Sequence, residues 1–127
     1  MTKKPETVKE EDLIKRKDGL YYKKYSKVPF TGKGDYFYDN GHLMFKQNFK
    51  NGKQEGPSEG FHENGQLWFI ENFKKGKQEG PREFFYQNGQ LESKDYNLNG
   101  KRHGPSEEYY ENGQLESKEN YKNDEPH

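Results

Sequence analysis

The chain has 127 residues, and its 22 Lys and Arg balance 22 Asp and Glu, so the formal net charge is zero and gives no overall attraction to nucleic acid or anionic lipid. Only 26% of residues are hydrophobic and 35% are charged, which excludes a thick two-layer core. However, 16% are aromatic, enough to stabilise a single-layer sheet through cross-strand side-chain contacts. The absence of cysteine excludes disulfides and thiolate metal sites.

The N-terminal part divides into a tail and a hairpin. Residues 1–12 are polar and charged and carry no sustained apolar stripe, so we expect a flexible charged tail. Structure is expected to begin at Leu13, where a short strand leads into Asp18-Gly19, a dipeptide suited to a type I′ turn. We predict that residues 13–34 form an N-terminal capping hairpin, as terminal units of repeat arrays do.

The remaining residues, 35–127, are organised by turn dipeptides with a period of 24 residues. Asn-Gly accepts positive φ at both central positions of a type I′ turn, which makes it the strongest short hairpin signal. Its four in-phase copies are Asn40-Gly41, Asn64-Gly65, Asn88-Gly89 and Asn112-Gly113. A second turn series lies at Asn51-Gly52, Lys75-Gly76, Asn99-Gly100 and Asn123-Asp124, and a Gly-Pro series at Gly56-Pro57, Gly80-Pro81 and Gly104-Pro105.

Counting between the turns gives the architecture of one repeat. A strand over residues 42–50 and a longer strand over residues 53–63, each followed by a two-residue turn, account for the 24-residue period. Proline cannot donate to a strand ladder, so Gly-Pro inside the longer strand predicts a bulge, break or bend. The predicted fold is all-β, an elongated single-layer antiparallel β-meander of 24-residue hairpin repeats.

Two-residue turns also predict which side chains share a face of the sheet. They pair Tyr38 with Leu43 and Phe37 with Met44, so the Leu column and the Phe column of successive repeats lie on opposite faces. The third repeat reads Tyr96-Asn97-Leu98 where the others read Asn-Phe-Lys or Asn-Tyr-Lys. Its aromatic side chain is predicted to flip to the other face unless a bulge restores it.

Several motifs together carry a family resemblance. They are the segments 110–115 (YENGQL) and 120–123 (NYKN), the Gln-Leu pairs at 66–67 and 90–91, the three Gly-Pro pairs, and the opening segments 18–24 (DGLYYKK) and 28–32 (VPFTG). From about Leu13 onward the chain resembles the MORN-repeat variant of bacterial proteins, commonly described as YwqK-type antitoxins. The resemblance implies a β-meander that serves as a binding scaffold and has no active site. The family often places Trp after Gly-Pro, where this chain has Ser58, Arg82 and Ser106.

Catalytic and metal chemistry find little support in the sequence. The histidines do not cluster in the sequence. His62 occupies a position that holds Tyr in the other repeats, so it is interpreted as a ladder residue, that is, a structural member of a column of equivalent side chains, and not as a catalytic base or metal ligand. No Ser lies in a nucleophile-elbow sequence, and no single place breaks the repeat with several unusual polar groups. We expect no enzymatic activity, no catalytic residues, no metal and no cofactor.

The sequence gives little support for binding to nucleic acid or to membranes. Lysines interleave with aromatics, as in stacking platforms, but glutamates offset them repeat by repeat, so no nucleic-acid binding is expected. A lipid-surface MORN module is the alternative function, although the sequence shows neither a basic stripe nor an amphipathic helix.

Protein binding is the function that we predict. The central aromatic residues Phe61, Trp68, Phe69 and Phe85 are the predicted partner-binding residues, either for a protein partner or for self-association through a sheet face. An antitoxin or immunity-type role is the specific form that the resemblance implies. We expect a cytoplasmic protein, since the chain has no cysteine and its N-terminus lacks a signal-peptide apolar segment.

Overall fold

The structure is a computed structural model that describes residues 6–126. Within that range a 3₁₀ turn spans Glu10–Asp12. The strands are β1 (Glu6–Lys9), β2 (Leu13–Lys15), β3 (Tyr21–Lys23), β4 (Gly32–Phe37), β5 (Leu43–Lys50), β6 (Lys53–Gln54), β7 (Gly56–Phe61), β8 (Leu67–Lys74), β9 (Lys77–Gln78), β10 (Gly80–Phe85), β11 (Leu91–Leu98), β12 (Lys101–Arg102), β13 (Gly104–Tyr109), β14 (Leu115–Lys122) and β15 (Glu125–Pro126).

One long sheet contains all of these strands except β2 and β3, which pair with each other. Its main order is β1-β4-β5-β7-β8-β10-β11-β13-β14-β15, and the short strands β6, β9 and β12 pair with β5, β8 and β11. Neighbouring strands are antiparallel except β1 and β4. The predicted all-β meander of hairpin repeats is therefore confirmed.

The segment predicted as a flexible tail, residues 1–12, is ordered over its described part. β1 lies parallel to β4, with Val8 opposite Gly34. Val8 is 8% exposed and packs with Phe30 and Phe49, against which Leu13 and Tyr21 of the β2–β3 hairpin also pack. The prediction is wrong for residues 6–12 because one buried valine among charged residues produces no periodic signal; residues 1–5 lie outside the described residues.

The Asn-Gly turns do not have the predicted type I′ geometry. Gly41 has φ 87°, whereas positive φ is not found at Asn40. The Gly41 N–H donates to the Tyr38 carbonyl at 2.9 Å, and the Tyr38 N–H donates to the His42 carbonyl at 2.8 Å, the pattern of a type I turn followed by a glycine bulge. The Asn40 Oδ1 accepts the N–H of His42 at 2.9 Å, which holds Asn40 in this conformation.

The glycine bulge of the Asn40-Gly41 turn changes the strand pairing next to it. Phe37 pairs with Leu43, and Met44 becomes the extra residue of a bulge; from Tyr36 opposite Phe45 onward the predicted register holds. The Phe column and the Leu column therefore share one face instead of lying on opposite faces, and this corrects the prediction for Phe37, Phe61, Phe85 and Tyr109.

Asp18-Gly19 departs from type I′ geometry in the same way, with positive φ at Gly19 and not at Asp18 and with the Gly19 N–H donating to the Arg16 carbonyl at 2.9 Å. The predictions for the second turn series, the Gly-Pro break and the third repeat are confirmed. Asn51 and Gly52 have φ 51° and 82°, as a type I′ turn requires. Glu55 separates β6 from β7 directly before the Gly-Pro pair. In the third repeat Asn97 lies opposite Gly80 and Tyr96 opposite Pro81, so the aromatic side chain has moved to the other face.

Gly89 offers a test of this turn geometry. Its φ is 89°, a left-handed conformation that costs a β-branched residue about 1–2 kcal/mol. Gly89→Val is expected to lower the free energy of unfolding by about that amount in denaturant titrations. Gln87→Val, an exposed position in the same turn, serves as the control and should change stability by less than about 0.5 kcal/mol. Equal midpoints for the two variants would contradict the assigned geometry.

Side chains of one repeat also bind the backbone of the next. The Tyr38 hydroxyl donates to the Phe61 carbonyl at 2.6 Å, and the Tyr86 hydroxyl donates to the Tyr109 carbonyl at 2.6 Å. His62 takes the same place between them, with its Nε2 2.7 Å from the Phe85 carbonyl. These three bonds tie neighbouring repeats together at the same position, which makes His62 a ladder residue as the sequence indicated.

We expect Tyr86→Phe to lower the free energy of unfolding by about 1 kcal/mol, because it removes one of these bonds. Tyr110→Phe is the matched control: Tyr110 holds the same position in the fourth repeat, is 50% exposed, and makes no such bond within residues 6–126. Chemical denaturation measures both variants. Equal losses would show that the bond contributes nothing specific.

Candidate functional site

An aromatic cluster runs across the strands on one face of the sheet. Its members are Tyr36, Phe45, Trp68, Phe69 and Phe84, all half-buried. Phe45 stacks on Trp68 with 6.1 Å between ring centroids and an interplanar angle of 25°. Phe69 lies 5.6 Å from Phe45, 5.3 Å from Trp68 and 5.8 Å from Phe84. The cluster is a continuous, partly exposed ring surface, and we call the face that carries it the aromatic face.

A bulge brings Trp68 into this cluster. Phe61 pairs with Leu67 and Gly60 with Phe69, so Trp68 is the extra residue between two pairs. Bulges re-aim side chains, and here the Trp68 ring joins Phe45 and Phe69 and lies 5.8 Å from the His62 ring.

Gly60 lies directly beneath the Phe69 ring and packs against it. A Cβ at residue 60 would lie 2.5 Å from that ring, closer than real side-chain contacts allow. The backbone φ of Gly60 is not positive. The glycine is therefore required so that the ring can approach the backbone closely, and not because of a turn. The ring is consequently held against the backbone.

The structure separates the four predicted partner-binding residues. Trp68 and Phe69 lie together in the aromatic cluster. Phe61 and Phe85 pair with Leu67 and Leu91 on the opposite face, so the four residues do not form one surface. Sequence reasoning missed Phe45 and Phe84 because the position of the bulge decides which residues face Trp68.

A polar cluster adjoins the aromatic cluster along β8, β9, β10 and β11. The Arg82 Nη2 lies 2.8 Å from the Asp95 Oδ2, and the Arg82 Nε donates to the Asp95 Oδ1 at 3.1 Å. Asn97, 6% exposed, donates to the Asp95 Oδ1 at 3.3 Å. The Gln78 Nε2 donates to the Glu71 Oε2 at 2.8 Å. Asp95 is also only 6% exposed, so its charge is desolvated and depends on these partners.

This polar cluster corrects the expectation that no place breaks the repeat with several polar groups. Arg82 stands where the second and fourth repeats have Ser58 and Ser106, and Asn97 stands where they have an aromatic. Each change is ordinary by itself in the sequence, and the grouping emerges only from the cross-strand pairs. The described polar groups satisfy one another, which favours a structural role for the cluster. Among residues 6–126 no group of His, Asp and Glu could hold a metal ion.

The repeats that build both clusters match a known family. The matching segments are residues 31–51, 54–75, 78–97 and 102–123, and the family is the MORN repeat variant. The chain belongs to this family. No curated protein matches it. MORN repeats in general are modules for interaction with proteins or lipids.

The zero net charge of this MORN chain conceals a separation of charge between its two turn edges. We call the edge with the type I′ turns the lysine edge; it carries the exposed residues Lys50, Lys53, Lys74, Lys75, Lys77, Lys101 and Lys122. Lys50 pairs directly with Lys53, and Lys74 with Lys77, which places like charges opposite each other. The turn segments of the other edge, 38–42, 62–66, 86–90 and 110–114, contain Asp39, Glu63 and Glu111 and no Lys or Arg.

No helix within residues 6–126 of the MORN chain has the length and apolar character needed to cross a membrane. The lysine edge also contains Glu55 and Glu79, whose carboxylates accept the backbone N–H groups of Lys75 and Asn99. These carboxylates keep their negative charge and offset part of the positive charge of the edge.

Glu71 makes the stability of the MORN array depend on pH. Burial raises the pKa of its carboxyl, against the opposing effects of Arg82 and of the Gln78 hydrogen bond, while the charge of Asp95 adds to the rise. An acid with a raised pKa binds its proton more tightly in the folded state, so its stabilising contribution is present below the ordinary value of 4.5 and is lost as pH rises through the folded pKa.

We therefore expect Glu71→Gln to become more stable relative to the unmodified chain as pH rises from about 4 to 7. Chemical denaturation at a series of pH values measures this difference. Glu116→Gln, an exposed position in the last described repeat, is the control and should leave the pH dependence unchanged. A constant difference for Glu71→Gln across the series would contradict the assignment.

Proposed function

We propose that the chain is a non-enzymatic scaffold that binds a protein partner through its aromatic cluster. The observation that carries the proposal is the run of half-exposed rings on an open sheet face, with Phe45 stacked on Trp68. Exposed apolar patches of this kind on soluble proteins mark interaction sites, and Trp and Tyr dominate binding hot spots.

Pre-organisation supports the same function. The Phe69 ring is held over Gly60, and Trp68 is held by Phe45 and Phe69, so little rotamer freedom is lost when a partner covers them. The neighbouring Arg82–Asp95 pair adds a fixed polar border to the ring surface, as interface rims do.

The double variant Phe45→Ala with Trp68→Ala tests this proposal. Cross-linking and affinity capture from the source cell, with sedimentation at several protein concentrations for self-association, should show partner capture falling at least tenfold for this variant. Phe61→Ala with Phe85→Ala, on the opposite face, is the matched control and should retain capture. Capture that survives in the first variant and fails in the control would place the contact on the opposite face and overturn the proposal.

An antitoxin or immunity-type role is the specific form of protein binding that we propose for this scaffold, with a cytoplasmic location that a cysteine-free chain fits. It requires that the captured partner be a toxic protein whose activity falls on complex formation. Co-expression with the captured partner, with growth as the readout, tests it. A partner that is harmless when expressed alone would refute this form while leaving the scaffold proposal intact.

The lysine edge favours a second candidate, binding to an anionic lipid surface. Seven exposed lysines along one edge provide attraction of roughly 1 kcal/mol each near a negatively charged membrane. Flotation with vesicles containing phosphatidylserine separates the two functions. Binding that falls with added salt and is lost in a Lys74→Ala, Lys77→Ala variant supports the lipid function, and absence of flotation removes it.

A further inference from the structure

We propose that Asn99 is a site of self-modification, at which the side-chain amide is lost as ammonia in a reaction with the backbone of Gly100. The chain contains six Asn-Gly dipeptides, and Asn-Gly is the sequence in which this reaction is least hindered, because glycine has no side chain to obstruct its nitrogen. The structure distinguishes Asn99 from the other five.

The reaction balances without any oxidant or cofactor. The Gly100 nitrogen gives up its proton and attacks the Asn99 Cγ; the new N–Cγ bond forms, the Cγ–Nδ2 bond breaks, and ammonia leaves with the proton. The product is a cyclic imide. One water molecule opens the imide at either carbonyl and leaves aspartate or isoaspartate. Because the Gly100 nitrogen must lose a proton, the rate rises with pH.

The four asparagines of the type I turns are held against this attack. Each accepts the N–H of the residue two positions on through its Oδ1, at 2.9 Å, as Asn64 does from Gln66. Asn64 and Asn88 also donate through Nδ2 to the next repeat, at 3.2 and 3.1 Å. Rotation of the amide toward the glycine nitrogen therefore breaks one or two hydrogen bonds at each of these sites.

Asn51 occupies the same turn position as Asn99, but its turn is covered. Gly52 is buried, and a Cβ placed on it would lie 2.8 Å from the Leu20 Cβ and 3.0 Å from the Pro29 Cβ. The Gly52 N–H donates to the Phe30 carbonyl at 2.7 Å, and the Gly100 N–H donates likewise to the Gln78 carbonyl at 3.0 Å, so the apolar cover and not this bond separates the two sites. An apolar cover disfavours the charged nitrogen and oxyanion through which the reaction passes.

Asn99 has neither the side-chain hydrogen bonds of Asn64 nor the apolar cover of Asn51, and the charges around it favour the reaction. Its side-chain amide makes no hydrogen bond within residues 6–126, and both Asn99 and Gly100 are exposed. Asn99 lines an open groove of about 430 Å³ together with Lys53, Lys74, Lys75, Lys77 and Glu79. A Cβ on Gly100 would lie 3.8 Å from the Lys77 Cβ. The four lysines outnumber the single carboxylate of the groove, that of Glu79, whose Oε2 accepts the Asn99 N–H at 3.1 Å. The net positive charge of the groove favours the deprotonated nitrogen, the oxyanion and the final carboxylate.

Incubation of the purified chain at mildly alkaline pH, followed by peptide mass spectrometry, tests the assignment. Conversion at Asn99 should exceed that at Asn64 by about tenfold or more, since each hydrogen bond that holds Asn64 is worth a factor of roughly three to five. Asn51 should also convert more slowly than Asn99. Faster conversion at Asn51 or at Asn64 would overturn the proposal.

Lys77→Ala isolates the contribution of the groove. Removing this exposed charge should slow conversion at Asn99 by roughly threefold at low salt and leave the conversion rate at Asn64 unchanged. It should also make the conversion rate at Asn99 less sensitive to added salt. Lys118→Ala, in the strand β14, is the matched control and should leave every rate unchanged. An Asn99 rate that is indifferent both to Lys77→Ala and to salt would refute the electrostatic part and with it the reason for singling out this turn.

Discussion

Replacing Arg82 with serine should lower the free energy of unfolding by about 3 kcal/mol, because it leaves a buried carboxylate without its ion-pair partner. The change removes both hydrogen bonds to Asp95 and leaves its carboxylate, 6% exposed, with Asn97 at 3.3 Å and the Arg102 Nε at 3.8 Å. Removing the partner of a desolvated charge typically lowers the free energy of unfolding by about 3–5 kcal/mol. The expected loss lies at the lower end of this range because the guanidinium of Arg102 still attracts the carboxylate.

A double variant supplies the matched control. Arg82→Ser with Asp95→Asn removes the buried charge together with its partner, because the amide that replaces the carboxylate is neutral. Its stability should lie within about 1 kcal/mol of the unmodified chain. Equal stability of the single and double variants in urea titrations would show that the Asp95 carboxylate is not desolvated.

Gly60→Val should cost about 1–3 kcal/mol, the usual penalty for inserting methyl groups into a packed site. A Cβ at residue 60 meets three atoms of the Phe69 ring at 2.5, 2.7 and 2.8 Å, so the ring must leave the backbone and disturb its contact with Trp68. The chain has a single Trp, and its fluorescence reports the disturbance directly. Partner capture should fall with it if the aromatic cluster is the binding surface.

Glu108→Val is the control for this substitution. Residue 108 holds the same place in the fourth repeat, is exposed, and pairs with Ser117 instead of an aromatic. Its substitution should change stability by no more than about 0.5 kcal/mol and leave the Trp68 emission unchanged. Unchanged emission in Gly60→Val would show that the ring does not rest on this glycine.

The fold could be predicted from the sequence because the turn residues and the period agree along the chain. Asn51-Gly52 and its equivalents specify two-residue turns that the backbone angles confirm, and Gly-Pro marks the break between β6 and β7. Even the flipped aromatic at Tyr96 follows from counting alone, since side chains of a strand alternate between faces.

The candidate site could be predicted only in part. An Asn-Gly pair fits a type I′ turn or a type I turn with a bulge, and the choice depends on the Asn40 side-chain bond to His42. That one-residue difference moves Phe61 and Phe85 to the face away from Trp68. The Arg82–Asp95 pair was missed for another reason: its members are 13 residues apart, and neither is unusual in a chain with so many charges.

The bonds from Tyr38, His62 and Tyr86 all run in one direction, from a side chain in one repeat to a carbonyl in the next. Each repeat therefore carries its own donor and its own acceptor, and the junction between any two repeats uses the same connection. Duplication or loss of a whole 24-residue unit preserves every such connection, whereas insertion of a partial unit breaks one. Arrays of this type can change length during evolution by whole repeats without inventing a new interface.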